Sequence, residues 1–208
     1  MKQTWTMVLV VLTGMARLIP HPWNATPTGA MALFGGSRMS LLAGLSLPLL
    51  MLIGTDAILW AWKGWSPFNP VVYGCFVIYG LLGHYLLRKP TVLSIVGVSI
   101  LASVQFFLLT NFAVWWSASL PLAELGGQSS AWVPSNIEAY PLLLKYSADV
   151  WGLLACYTLA LPFYWGTLAG DLIYPLVVFG LYAALTPSPL LRPRTAVSPS
   201  EVGHQPAR

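Results

Sequence analysis

Charge is what this sequence has least of. Of its 208 residues only 8% are Asp, Glu, Lys or Arg, whereas a soluble domain carries roughly 25%. A chain so poor in charge cannot cover a water-facing surface, which excludes a soluble enzyme, a disordered protein and a nucleic-acid binder, despite a net charge of +4. Cysteine is nearly as scarce. Cys75 and Cys156 form no CxxC and no zinc-type spacing, so a disulfide scaffold and a structural zinc site are both excluded. The HExxH, GxSxG, Walker and Gly-rich dinucleotide patterns are missing as well, and with them the familiar metalloprotease, hydrolase and nucleotide chemistries. What the chain has is apolar length: 57% hydrophobic residues and a mean hydropathy of +0.71. This is the composition of a polytopic membrane protein.

The few ionisable residues punctuate the chain, because a charge at the bilayer centre costs at least ~2.5–3.5 kcal/mol. Between them run uncharged windows at 3–16, 39–55, 64–87, 90–123, 150–170 and 172–191. Each is close to the roughly 20 apolar residues that a spanning helix needs. None alternates with period two for long enough to make a barrel strand. The fold class expected is therefore all-α, with six transmembrane helices. They are placed at 4–20, 27–37, 40–60, 68–87, 91–115 and 163–186, all in a single domain over 1–186. Residues 116–138 read as a loop from Gly126, Gly127, Ser129, Ser130 and Pro134. The apolar stretch 140–161, ended by Pro162, is expected to dip into the outer leaflet and return. The Pro-, Ser- and Arg-rich residues 187–208 are expected to be a disordered cytoplasmic tail.

Orientation follows from basic residues. A cytoplasmic N-terminus places Lys2, Arg38, Arg88, Lys89, Arg192, Arg194 and Arg208 inside and leaves Lys63 and Lys145 outside, with Arg17 near the outer end of helix 1. A seventh crossing would turn Arg192 and Arg194 outward against that rule. Lys2 ahead of an apolar run, with Gly14-Met15-Ala16 behind it, also fits a signal peptide, but an uncleaved first helix is the plainer reading. The localisation expected is a bacterial cytoplasmic membrane, with both termini cytoplasmic.

On this topology the outer side collects polar and aromatic groups: His21, Trp23 and Asn24 between helices 1 and 2; Trp60, Trp62, Trp65 and Asn69 between helices 3 and 4; and Asn111, Trp115 and Trp116 near the end of helix 5. An interfacial aromatic belt accounts for any single Trp. Their concentration on one side also suits a pocket for a partly apolar ligand. Cys75, beside Tyr73 and Gly74, falls roughly 10 Å below the outer end of helix 4 at about 1.5 Å per residue. It reads either as a packed small residue or as a soft ligand for a late transition metal. Asp56, Asp149 and Asp171 are intramembrane or nearly so and face the protein interior, through structural pairing or ligand contact. Cys156 reads as packing. His84, near Arg88, is too deep to share a metal with Cys75.

Three blocks carry a resemblance. Arg17-Leu18-Ile19-Pro20-His21-Pro22, Asn24-Ala25-Thr26-Pro27 and Ala30-Met31-Ala32-Leu33-Phe34-Gly35-Gly36 form the first. Phe106 to Phe112 is the second. Cys156-Tyr157 through Leu161-Pro162-Phe163 to Gly170-Asp171-Leu172 is the third. Over about 17–180 the chain resembles the substrate-binding S-components of energy-coupling-factor (ECF) vitamin transporters. The resemblance implies six helices and an outward-facing vitamin pocket. A cysteine at position 75 is similar to the cobalamin (vitamin B12) branch, which implies Cys75 as ligand of the corrinoid cobalt. The corrin is then expected under Trp23, Trp62 and Trp65, with Asn24, Asn69, Tyr73, Asn111, Tyr157 and Asp171 around it. A thiolate on Co(III) would weaken the opposite axial bond, so Cys75-assisted removal of an upper ligand such as cyanide is a further, catalytic expectation. Helix 1 offers Thr13, Gly14 and Ala16 but no Ala-xxx-Ala pair, so the partner expected is either an ECF energising module or none. Two alternatives stand beside this: an S-component for another vitamin or small amphiphile, with Cys75 only packed, and an intramembrane enzyme acting on a lipid or quinone through Asp171.

Overall fold

The computed structural model describes residues 2–20, 24–63, 68–119 and 146–186. Among these, all regular structure is helical: α1 (Lys2–Ala16), α2 (Thr28–Arg38), α3 (Leu41–Lys63), α4 (Pro70–Leu86), α5 (Val92–Ser119) and α6 (Val150–Leu185). The helix starts are written in side chains. Asn69 caps α4 by accepting the Val72 N–H at 3.1 Å, with Pro70 in the first turn, where no N–H is needed. Thr91 and Ser94 satisfy each other's backbone N–H at the head of α5, at 3.1 and 2.8 Å, a capping box with Ser in the place of Glu. Asp149 accepts the Gly152 N–H at 2.8 Å to open α6.

At about 1.5 Å per residue, α3, α5 and α6 exceed the roughly 30 Å of a bilayer's hydrocarbon core. Among the described residues, they are the three helices long and apolar enough to cross a membrane. Side chains turned away from the bundle are apolar too, with Leu42 and Leu93 80% and 82% exposed, as lipid contact requires and water contact penalises.

The short helix α2 is the hub. Every residue from Thr28 to Gly36 is buried, and α2 touches each of the other five helices. Close backbone approach makes this possible: a Cβ on Gly36 would collide with the Gly80 carbonyl, and one on Gly83 with the Leu33 carbonyl, so small residues let α2 and α4 pack backbone to backbone. Phe34 wedges edge-on between Phe179 and Tyr182 of α6 at 5.2 and 5.3 Å. Arg38 lies over the same two rings at 5.6 and 5.2 Å, a cation–π pair that holds its charge at the bundle's end.

Cross-helix hydrogen bonds fix the directions. Arg17 meets Thr55, Tyr73 meets Asp56 and Trp115 meets the Ser147 carbonyl, which gathers these residues at one end, hereafter the Asn24 end. Ser37 meets the Leu87 carbonyl and His84 the Gly36 carbonyl at the other, the Arg38 end. Successive helices therefore run in alternate directions.

Three sequence expectations change. Helix 1 ends at Ala16, not 20, because Arg17, Leu18 and Ile19 donate to carbonyls three residues back in a tightened last turn ahead of Pro20. Helix 5 runs on through Trp115 and Trp116 to Ser119. The dip expected over 140–161 is not formed where it is described. Residues 150–161 are the first turns of α6, which passes through Pro162 and Pro175 without ending. Proline deprives one carbonyl of its partner, and neighbouring hydroxyls offset such losses in membrane helices. At Pro162 the carbonyl left without its helical N–H is that of Thr158, four residues back. Residues 140–145 and the tail from 187 lie outside the described residues.

Candidate functional site

Two buried aspartates sit toward the Asn24 end, and their surroundings differ. Asp56, 1% exposed, is fully paired. Arg17 Nη1 lies 2.5 Å from its Oδ1 and 2.9 Å from Thr55 Oγ1, while the Tyr73 hydroxyl donates to its Oδ2 at 2.8 Å. This cluster ties the end of α1 to α3 and α4, as a neutralised ion pair should.

Asp171, midway along α6 and 4% exposed, has no ion-pair partner among the described residues. The Tyr79 hydroxyl donates to its Oδ2 at 2.6 Å. Its Oδ1 lies against Gly29 in the first turn of α2, where any Cβ would collide with it. Glycine thus brings the carboxylate to the positive end of the hub helix. Ser103 of α5 neighbours the carboxylate from a third side.

In front of Asp171 lies a cleft of about 180 Å³. Its polar margin is Asn24, Thr26, Thr167 and Asp171, and its apolar wall is Phe76, Tyr79 and Phe106. The three rings pack on one another, Phe76 to Tyr79 at 5.2 Å, Phe76 to Phe106 at 5.6 Å and Tyr79 to Phe106 at 6.4 Å. The margin is built from distant pieces of chain. Gly170 has no side chain to hold off the backbone of Ala25 and Thr26, which a Cβ there would meet at 3.0 and 3.1 Å. The connection into α2 therefore lies directly on α6. Asn24 takes the left-handed conformation with φ 55°, which Asn tolerates better than most residues.

Of the residues singled out in the sequence, Asn24 and Asp171 line this cleft. Cys75 does not. It is 1% exposed and lies beside the Gln105 side chain of α5. It shares a face of α4 with Tyr79, four residues on, but is packed behind the wall and does not line the cleft. Asn69 caps α4, and Tyr73 serves Asp56. Asn111 Nδ2 donates to the Phe107 carbonyl at 2.8 Å, and its own carbonyl faces Cys156 Sγ at 3.4 Å. The Tyr157 hydroxyl donates to the Leu108 carbonyl at 2.8 Å. Trp62 is 71% exposed at the end of α3. Trp23 and Trp65, with His21, lie outside the described residues. Sequence reasoning missed Tyr79, Phe76, Phe106, Thr26, Thr167 and Gly29. Two spacings carried a signal: Phe76 with Tyr79, three apart, and Thr167 with Asp171, four apart, each pair sharing one helix face.

Fold and site together define an all-helical, membrane-type protein with a small polar cleft backed by aromatic rings. The chain belongs to DUF6580, a family of unknown function, whose model matches residues 1–192. Comparison with curated proteins and with solved structures gives no significant match.

Proposed function

We propose that this chain is a membrane-embedded uptake protein of the S-component kind, and that the cleft around Asp171 holds its small-molecule ligand. It sits in a bacterial cytoplasmic membrane with six crossings and works with an energising module or alone. The observation that carries this reading is a buried carboxylate facing a cleft with no counter-ion among the described residues, whereas the buried Asp56 is paired with Arg17. An unpaired intramembrane acid costs stability, and occupation by a ligand offsets that cost. The cleft opens near the Asn24 end, which the basic residues turn outward.

Size favours the smaller of the two ligand expectations. Drug-sized ligands take roughly 300 Å³ or more, and a corrin macrocycle is larger still, so the reading carried forward is a smaller vitamin or amphiphile with Cys75 packed. The cobalamin alternative, with the Cys75 thiolate on cobalt, requires the α4–α5 seam to open. The test is mass spectrometry and cobalt analysis of protein purified from membranes. A small organic ligand that persists in Cys75→Ser and disappears in Asp171→Asn supports the proposal. A pink, cobalt-bearing protein that loses its colour in Cys75→Ser overturns it in favour of cobalamin.

A further inference from the structure

The chemistry of the cleft narrows its ligand. We infer that the cleft recognises a small organic cation, an alkyl- or quaternary ammonium, held between the Asp171 carboxylate and the faces of Phe76, Tyr79 and Phe106. The inference rests on the cleft being the ligand site and adds the class of molecule that fills it.

Three observations point the same way. First, the carboxylate has one unmet requirement. Tyr79 supplies a hydrogen bond and the first turn of α2 supplies partial positive charge through Gly29, but no Lys, Arg or His among the described residues pairs with it. The protein's single ion pair among those residues is spent on Asp56. Second, the apolar wall of the same cleft consists of three mutually packed rings, and aromatic π faces carry negative potential. Rings of this kind attract a cation within about 6 Å, more strongly once water is gone, and form the cages that recognise quaternary ammonium groups. An anion would meet both the carboxylate and the ring faces as repulsion, and a neutral apolar ligand would leave the carboxylate unpaired. Third, the volume fits. A cavity of about 150 Å³ holds benzene, so about 180 Å³ takes an ammonium group with a short arm. Asn24, Thr26 and Thr167 on the margin offer hydrogen bonds to a hydroxyl or carbonyl on that arm.

The probes are choline and its uncharged isostere 3,3-dimethylbutanol, titrated calorimetrically against the purified full-length protein in micelles. Choline is expected to bind at least tenfold more tightly than the isostere. Asp171→Asn is expected to remove that preference, and Phe106→Leu, which keeps the carboxylate, to weaken choline severalfold while leaving the isostere unchanged. Equal affinity for the two probes, surviving in Asp171→Asn but abolished by filling the cleft with Thr167→Phe, overturns the cation and leaves the cleft as the site. Choline binding indifferent to Thr167→Phe overturns the cleft as well. Binding of neither probe overturns the cation assignment.

Discussion

Gly29→Ala isolates the contact on which the site is built. The added methyl would collide with Asp171 Oδ1 and come to 2.8 Å from Tyr79 Cε1 and 3.1 Å from Asp171 Cγ. Either the carboxylate swings away and breaks its 2.6 Å bond from Tyr79, or α2 shifts against α6. Overpacking of this kind costs about 1–3 kcal/mol, and losing a hydrogen bond to a charged group about 1.5–3 kcal/mol. Because the two are alternative responses to one collision, we expect about 2–3 kcal/mol of destabilisation, not their sum. Gly54 is the internal control: it lies in α3, and a Cβ there meets nothing within 4 Å. Gly54→Ala should therefore be neutral or stabilising by up to about 1 kcal/mol from helix propensity alone. The assay is SDS titration of purified protein in mixed micelles. The decisive comparison is Gly29→Ala in an Asp171→Ala background, where the carboxylate is gone and most of the penalty should vanish. Equal effects of Gly29→Ala and Gly54→Ala, or a Gly29→Ala penalty unchanged by Asp171→Ala, would refute the reasoning.

The remaining predictions concern other parts of the frame. Arg17→Ala strands the buried Asp56 without its cation and should cost about 3–5 kcal/mol; Tyr73→Phe, which removes one hydrogen bond from the same carboxylate, should cost less, and the reverse order in the same titration would be wrong for this network. The Gly152 N–H and the Ser147 hydroxyl hold Asp149 below the ordinary carboxylate value. Its cap is thus fully effective above the unfolded pKa of ~3.9 and is lost as pH falls through the lower folded value. Protection of the Gly152 amide against hydrogen exchange, taken relative to the intrinsic rate at each pH, should fall in that acidic window, and Asp149→Asn, which retains an acceptor, should flatten the response. Spin labels at Leu154 and Ala169 should be separated by roughly 22 Å along the axis of a continuous α6; a much shorter distance would restore the dip and return.

The elements legible in the sequence were those that obey one-dimensional rules. Charge punctuation located α3, α4 and α5 to within a few residues, because lipid excludes ions wherever the helix happens to pack. Caps such as Asn69 and Asp149 are local chemistry, yet the sequence expectation for Asn69 is a ligand contact and for Asp149 an interior acid, and the structure leaves Asp149 exposed at the head of α6. Pro162 misled because the rule that proline ends helices comes from water, where a freed carbonyl has solvent to turn to. Within a bundle, the helix continues. The site was half legible. Asp171 stands out as an acid in an apolar run, whereas Tyr79 and Phe106 are ordinary aromatics until the fold brings them to the same carboxylate. Nothing in the local sequence says that Gly29 lies against Asp171, since that contact joins α2 to α6. Cys75 drew attention by rarity, but its surroundings are set by Gln105 of another helix, a long-range fact.

The most direct test of the central claim is thiol accessibility from the outer face, using a small membrane-impermeant methanethiosulfonate on intact cells. One sample is the natural chain and the other carries Thr167→Cys. The account predicts that Thr167→Cys is modified rapidly, while Cys75, 1% exposed, stays unmodified. Rapid modification of Cys75 in the natural chain, with no additional labelling from Thr167→Cys, would contradict it.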